Sequence, residues 1–251
     1  MRAFEFYPWA HGLLYDADVV AGEASYTSTL SCWYGKPLHV GGAGNVTFFG
    51  YVHDEAGCCE LTTERDDGTV YRVPLRAGMY FSAPREFRVR GGAGIAVARW
   101  GQRGTFMVGG PAEDLGRLRY IDGCTDSLLI PPTMKGDACL NLLHFPAGVD
   151  QTEHTHPSDR IGIIASGRGR CAFRDEEGPG VVELEPGMIF VIKAGGHHKF
   201  ATPHGSPMRV IAYHPDSDYG PTHQDHPMLN RTIIDGVSAA DVRRLQYRTP
   251  E

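Results

Sequence analysis

The stretch GVDQTEHTHPSDRIGIIASGRG, from Gly148 to Gly169, carries the strongest structural signal in the chain. It follows one apolar run, places His154 and His156 one residue apart, and leads into a second apolar run. Side chains alternate across an extended strand, so residues at i and i+2 face the same side. The stretch therefore predicts two imidazoles that point into one space, as the ligands of a metal do.

A third ligand is available downstream, in KAGGHHKF, residues 193–200. This stretch places His197 and His198 next to each other after a glycine turn. Because adjacent residues of a strand face opposite sides, only one of the two can point inward. Three imidazoles from two strands would suffice to bind a divalent ion.

The composition favours strands and turns over long helices, since 32 glycines and 17 prolines separate short apolar runs. A chain of 251 residues is long enough for one large β domain or two modest ones. Its formal charge of −6, without a Lys/Arg cluster, argues against binding to nucleic acid or to an anionic membrane. A small-molecule partner is therefore expected.

The expected location is the cytoplasm. The first residues, MRAFEFYPWAHG, lack the apolar run of a signal peptide, and no run approaches the roughly 20 apolar residues of a membrane span. The six cysteines form no CxxC pair, so we interpret them as core thiols in a reducing compartment rather than as a disulfide framework or a zinc knot.

Two segments, at 73–100 and 182–214, resemble each other: each has a polar turn, a Gly-Met pair and two apolar strands. Such self-similarity indicates a duplicated β unit. We therefore predict a first unit in residues 1–104, a connector in 105–124, a metal-binding second unit in 125–216 and a lid-like segment in 217–251. Ser238 and Asp241 resemble a capping box, which predicts a short helix near 239–247.

The histidine motifs resemble those of the cupin superfamily, G-x5-H-x-H-x3/4-E-x6-G and G-x5-P-x-G-x2-H-x3-N. Gly148, His154, His156 and Gly167 match the first motif. Gly187 begins the match to the second, whose spacing selects His198 as the third ligand. The resemblance implies an all-β tandem cupin, a bicupin of two β-barrel or jelly-roll units with a short C-terminal helix, and one divalent metal.

The sequence departs from both motifs. Arg160 occupies the usual glutamate position, Lys193 the usual proline position and Thr202 the usual asparagine position. The resemblance is thus to the cupins with three histidine ligands, a neutral set suited to zinc or iron(II). In the first unit the repeat offset places Gly44, Val46 and about Val89 at the ligand positions, which predicts a unit without metal.

Four residues are candidates for a catalytic role: Arg160, Lys193, His214 and Tyr219. Arg160 and Lys193 are expected to hold a substrate carboxylate. The alternatives are an outward ion pair of Arg160 with Asp159, Glu183 or Glu185, and a Lys193 that extends to the barrel rim. The turn-rich end of the chain adds loop residues that either contact substrate or only form turns: His204, His223, His226, Asp216, Asp218 and Asn230.

The segments HPSDRIG, HPDSDYGP and HPMLNRT resemble the zinc-binding cupin domains of hydrazine synthetases. That resemblance implies zinc, favoured over iron(II), and formation of an N–N bond by rearrangement of an aminoacyl ester of an N-hydroxylated amino acid. It also implies an adenylating, methionyl-tRNA-synthetase-like domain or protein as partner. A three-histidine iron(II) dioxygenase and a non-catalytic small-molecule-binding module remain alternatives, and cupins commonly form homodimers.

Overall fold

A computed structural model describes residues 3–17, 20–21, 24–25, 28–42, 44–65, 67–217 and 227–242. They form two compact units. The N-terminal unit comprises Tyr7–Ala112, and the C-terminal unit combines the residues up to Phe6 with those from Glu113 onward. Within the described part of the chain, no helix is long and apolar enough to cross a membrane.

The described residues before 112 form thirteen strands, in keeping with the many Gly and Pro turns. They are β1 (Phe4–Tyr7), β2 (Gly12–Ala17), β3 (Val20–Ala21), β4 (Ala24–Ser25), β5 (Ser28–Tyr34), β6 (Leu38–Gly41), β7 (Val46–Asp54), β8 (Cys59–Glu64), β9 (Val70–Leu75), β10 (Tyr80–Pro84), β11 (Glu86–Arg90), β12 (Ala93–Trp100) and β13 (Met107–Gly109).

In the N-terminal unit, two large antiparallel sheets enclose an aromatic core, and β3 and β4 form a separate two-stranded sheet. One sheet has the order β13-β10-β7-β12-β5-β2 and the other β6-β11-β8-β9. Gly50 of β7 pairs with Phe81 of β10. A Cβ atom at Gly50 would lie 2.1 Å from the Phe81 ring, so glycine makes room for the buried aromatic side chain.

Eleven further strands lie in the part of the C-terminal unit that the structure describes. They are β14 (Leu118–Arg119), β15 (Thr125–Ile130), β16 (Cys139–Phe145), β17 (Arg160–Gly167), β18 (Gly169–Asp175), β19 (Gly178–Leu184), β20 (Ile189–Ile192), β21 (His197–Ala201), β22 (Met208–His214), β23 (Ile233–Ile234) and β24 (Val237–Ser238).

The C-terminal unit repeats the strand order of the N-terminal one. Its large sheet, β1-β20-β17-β22-β16-β15-β14, contains β20-β17-β22-β16 where the N-terminal unit has β10-β7-β12-β5. Its small sheet, β19-β18-β21, corresponds to β9-β8-β11. Gly162 of β17 pairs with Phe190 of β20, as Gly50 pairs with Phe81. The expected all-β, duplicated architecture is confirmed.

The structure draws the boundaries differently from the predicted ranges 1–104, 105–124, 125–216 and 217–251. Residues 3–6 belong with the C-terminal unit, because β1 lies beside β20 and the Lys193 amide donates to the Ala3 carbonyl, 3.0 Å away. Part of the supposed connector is β14, which pairs with β15. Strand pairing over long sequence distances decides these boundaries, and local composition does not reveal it.

Helical structure is confined to short segments among the described residues. A helix spans Pro227–Asn230, and two 3-10 helices span Ile121–Gly123 and Ala239–Asp241. The last begins where the sequence predicts, since the Ser238 hydroxyl accepts a hydrogen bond from the Ala240 amide. The remainder of the predicted 239–247 helix, from residue 243, lies outside the described residues.

Candidate metal centre

Three buried histidines converge in the C-terminal unit. His154, His156 and His198 each present a ligand nitrogen, and these nitrogens all lie within 4.8 Å of one another. The three residues are at most 4% exposed. Among the described residues of both units, they form the one group of three or more metal-ligating side chains. The structure thus brings together the residues that the motif spacing selected.

Backbone pairing holds two of these histidines side by side. The His154 amide donates to the His198 carbonyl at 3.0 Å, and the His198 amide donates to the His154 carbonyl at 3.1 Å. His154 lies in an isolated bridge before β17, and His156 lies outside any strand or bridge. In β21, His198 is 1% exposed while the side chain of His197 is 59% exposed and faces Glu153. Strand alternation therefore resolves the adjacent pair in favour of His198.

Each of the three imidazoles has its Nδ1 atom fixed by a backbone carbonyl. The acceptors are Thr152 for His154 at 2.8 Å, Gly196 for His198 at 2.9 Å and Arg231 for His156 at 3.1 Å. A carbonyl only accepts, so Nδ1 carries the proton and Nε2 keeps its lone pair. Such hydrogen bonds orient the imidazoles that bind metals in proteins.

The surroundings keep the imidazoles neutral. Burial lowers the pKa of His154 to about 4, and it lowers the pKa of His156 and of His198 well below the ordinary value. The positive charge of Arg160 acts in the same direction on all three. Since only a neutral imidazole binds a metal, these residues fit a divalent ion with three nitrogen ligands.

The histidines line a small cavity of about 20 Å³ in the C-terminal unit. Most of its wall is apolar, with a few polar groups, as is usual for small-molecule sites. The lining residues are Tyr120, Leu143, Phe145, Gln151, His154, His156, Arg160, Phe190, Ile192, His198, Phe200, Val210, Ala212, His214 and Met228.

The predicted catalytic residues take different positions. Arg160 is 3% exposed and His214 is 1% exposed, and both line the cavity. Lys193 is absent from its lining, and its Nζ lies 3.6 Å from a Glu5 carboxylate oxygen, so its side chain contacts the N-terminal strand β1. This differs from the predicted carboxylate-binding role, because β1 was not expected to belong to this unit.

The outward alternative for Arg160 does not hold, since its partner is the buried Asp216. Asp216 also accepts hydrogen bonds from Ser158 and from Arg231. Tyr219, His223, His226 and Asp218 lie outside the described residues, as does the Asn230 side chain. His204 is exposed on a turn next to Gly148.

The described part of the predicted lid-like segment contacts the histidine site. Thr155 and Ile233 form an isolated bridge in which each amide donates to the other's carbonyl, at 3.1 and 3.0 Å. Met228 lines the cavity, and the Arg231 carbonyl fixes His156. This segment therefore forms part of the site rather than a separate cover.

Sequence reasoning missed several cavity residues, among them Tyr120, Gln151 and Met228. Tyr120 lies in the supposed connector, and its hydroxyl is 3.1 Å from the hydroxyl of Thr232. Gln151 lies inside the first motif, where its side-chain oxygen accepts from the Phe200 amide at 3.2 Å. Gln151 could have been noticed by its position between the motif residues, whereas no local pattern marks the other two.

Comparison with known proteins agrees with this geometry. Residues 141–214 match the family model described as cupin domain. This range contains all three histidines and Arg160. No curated protein sequence matches the chain.

Among solved structures, a single-residue variant of oxalate decarboxylase from Bacillus subtilis superimposes with a TM-score of 0.50 at 11% identity, covering 86% of this chain and 76% of that one. A structure of the same enzyme, described for its Mn(II) centres, gives a TM-score of 0.49 at 10% identity and covers 77% and 70% of the two chains.

The fold is thus an all-β tandem cupin, and the C-terminal unit contains a cupin domain with a three-histidine site. Residues 141–214 match the cupin-domain model, and the likeness to oxalate decarboxylase at 11% identity concerns the fold alone. It says nothing about the reaction.

Proposed function

We propose that the protein is a metal-dependent cupin enzyme whose divalent ion is bound by His154, His156 and His198. The observation that carries this proposal is the set of three Nδ1 hydrogen bonds to backbone carbonyls, which leaves three neutral Nε2 atoms facing one cavity. The ligand nitrogens of the three residues also lie within 4.8 Å of one another, as the ligands of a single ion do. A divalent ion bound there would act as a Lewis acid and an anchor for an anionic substrate.

The reaction we propose is zinc-dependent N–N bond formation on a small amino-acid-derived substrate, as in the hydrazine synthetases that the sequence resembles. In an aminoacyl ester of an N-hydroxylated amino acid, the free amine forms a bond to the hydroxylated nitrogen. The N–O bond breaks, the acyl group leaves as a carboxylate, and the amine loses one proton. The product is an isomer of the ester, so no external oxidant or reductant is required.

The residues of the cavity suit such a step. Arg160 provides a fixed positive charge beside the histidines. His214 also lines the cavity, and histidine is the side chain whose ordinary pKa suits proton transfer near neutral pH. We propose that His214 takes the proton from the substrate amine, while the apolar walls formed by residues such as Phe190 and Phe200 exclude water. An adenylating, methionyl-tRNA-synthetase-like partner would supply the ester.

The experiment that tests this proposal measures the metal content of protein purified anaerobically without added metal, beside the His198→Ala variant. We expect about one equivalent of zinc in the wild type and a large loss in the variant. The zinc-loaded protein is then incubated with the glycyl ester of N6-hydroxylysine, and the hydrazine is detected by mass spectrometry. A variant at His197, which is exposed next to the site, serves as the control and should retain the metal.

One equivalent of iron together with oxygen uptake would overturn the N–N reaction in favour of a dioxygenase, which the same three neutral ligands also suit. Protein without any metal would overturn the enzyme proposal and leave a small-molecule-binding module. Zinc without conversion of the ester would retain the metal centre and exclude this substrate.

A further inference from the structure

The guanidinium of Arg160 has an unusual position for a charged group. Arg160 begins β17, pairs with Ile192 and is 3% exposed. It lines the same cavity as the three histidines, and its charge contributes to lowering the pKa of each of them. A buried charge is costly unless it is paired and hydrogen-bonded. The contacts of Arg160 therefore indicate which kind of ligand its guanidinium group can bind.

One nitrogen of Arg160 makes all of its hydrogen bonds to the protein. Nη1 donates to the Ser158 hydroxyl at 2.7 Å, to the Ser158 carbonyl at 3.0 Å and to the Asp159 carbonyl at 3.1 Å. Nε and Nη2 are buried and have no hydrogen-bond partner within the described ranges. These two atoms lie along one edge of the guanidinium, where their N–H bonds are nearly parallel and match the two oxygens of a carboxylate.

The charged groups around Arg160 also favour the binding of an anion. Asp216 is the acidic partner of Arg160, with an oxygen 3.7 Å from Nη1. The same carboxylate pairs with Arg231. The Asp216 carboxylate therefore contacts two guanidinium groups, beside a site suited to a divalent cation. A carboxylate on the free edge of Arg160 would satisfy both of its N–H groups.

We propose that the Nε–Nη2 edge of Arg160 is a carboxylate subsite, and that the substrates are small carboxylic acids that reach the metal with a second donor group. This inference rests on the proposed function only for the metal ion that the second donor group of the substrate would reach. The shape of the edge favours a planar carboxylate over a tetrahedral phosphate, because its two nearly parallel N–H groups match the two oxygens of a carboxylate. Arg160 then fixes the orientation of the substrate from the position where other cupins have an acidic ligand.

The first test needs no substitution. In protein labelled with 15N-arginine, the Nε–H resonance of Arg160 is followed during titration with sodium acetate, with acetamide and with inorganic phosphate. We expect a saturable downfield shift with acetate, and at least roughly tenfold weaker binding of acetamide, which has the same shape without the charge. Equal binding of acetate and acetamide, or tighter binding of phosphate, would overturn the proposal.

The second test uses Arg160→Lys, which keeps the charge and removes the two-donor edge. Acetate affinity, measured by calorimetry on zinc-loaded protein, should fall about tenfold while the zinc content stays at the wild-type level. The matched control is Arg168→Lys in the same unit, because the Arg168 side chain is 72% exposed and its ion pair with Glu185 is long, at 3.9 Å. This control should bind acetate like the wild type.

The two proposals fail in different ways. If the wild type binds no zinc, the proposed function fails, and titration of the metal-free protein with acetate still tests Arg160. If zinc binds and acetate leaves the Arg160 resonance unchanged, the carboxylate subsite fails while the metal centre stands. If Arg160→Lys does not fold, the resonance shift in the wild type decides the question.

Discussion

The two units share the same strand order and differ in the side chains at the positions of the histidine site. Gly50 and Phe81 of the N-terminal unit form the same pair as Gly162 and Phe190 of the C-terminal unit. In both, a Cβ atom on the glycine would collide with the ring, at 2.1 and 2.6 Å. This packing is independent of any ligand. The duplicated fold therefore depends on glycine–aromatic contacts between neighbouring strands, and the histidines are additions to it.

The difference appears where the C-terminal unit has its histidines. His154 pairs with His198 there, and Val40 pairs with Phe87 at the equivalent positions of the N-terminal unit. Arg160 lies two residues before Gly162, and Phe48 lies two residues before Gly50, so Arg160 and Phe48 occupy equivalent positions. The rings of Phe48 and Phe87 are 5.3 Å apart, so aromatic packing occupies the place of the metal site.

This register corrects the sequence prediction, which placed Gly44, Val46 and about Val89 at the ligand positions. The correct pair is Val40 and Phe87. Part of the error arises because Val40 lies eight positions before Phe48, whereas His154 lies six positions before Arg160 (48 − 40 against 160 − 154). The conclusion that this unit lacks ligands remains a prediction, and among its described residues no metal-ligating group of three occurs.

The largest expected effect comes from replacing two histidines of the C-terminal unit by the residues at the equivalent positions of the N-terminal unit. In His154→Val/His198→Phe, metal affinity should fall by more than about a hundredfold, because one histidine cannot hold the ion, while the strand order is kept. Metal content and far-ultraviolet circular dichroism measure the two effects. His197→Ala is the control and should retain the metal. Wild-type metal content in the double variant would refute the ligand assignment.

A second prediction concerns the charged cluster, which the N-terminal unit lacks at Phe48. Asp216→Asn leaves the guanidinium groups of Arg160 and Arg231 without their shared carboxylate. Removing one partner of a buried ion pair should lower the free energy of unfolding by about 3 kcal/mol. Urea denaturation measures it. A loss below about 1 kcal/mol would show that the cluster is solvated and not buried.

A third prediction tests whether the shared scaffold is equally sensitive in both units. Gly50→Ala and Gly162→Ala should each cost about 2 kcal/mol, since the new methyl group overlaps a buried ring. Gly205→Ala is the matched control, because no atom lies within 4 Å of its Cβ position. Thermal unfolding compares the three. A stable Gly162→Ala beside a destabilised Gly50→Ala would indicate that the C-terminal core is more adaptable.

The smallest expected effect is a pH dependence specific to the C-terminal unit. Burial lowers the pKa of His154 from 6.5 to about 4, so as the pH falls below 6.5 the unfolded chain binds a proton that the folded chain does not. Stability is complete above pH 6.5 and falls towards pH 4. At pH 5.5, His154 alone should cost the metal-free protein about 1 kcal/mol.

The measurement is urea denaturation of metal-free protein at pH 7 and at pH 5.5, beside His154→Gln. The variant lacks one of the titrating groups, so its loss of stability on acidification should be smaller. An identical loss in both proteins would show that His154 is solvated in the metal-free state.

The sequence by itself determined the class of fold and the histidines. Alternating strands, Gly and Pro turns and the repeat are local patterns, and the i, i+2 spacing of His154 and His156 is a property of one short segment. The second motif added His198. These features were predictable because each depends on residues that are close together in the chain.

Only the tertiary structure decided the environment of these residues. The carbonyl of Arg231 fixes His156 from 75 residues away, and Asp216 reaches Ser158 across 58 residues. β1 lies beside β20, which draws Lys193 away from the cavity. The free edge of Arg160 exists because Ser158 and Asp159 occupy only Nη1. Such contacts join segments that are distant in sequence, and no local pattern records which of them will meet when the barrel closes.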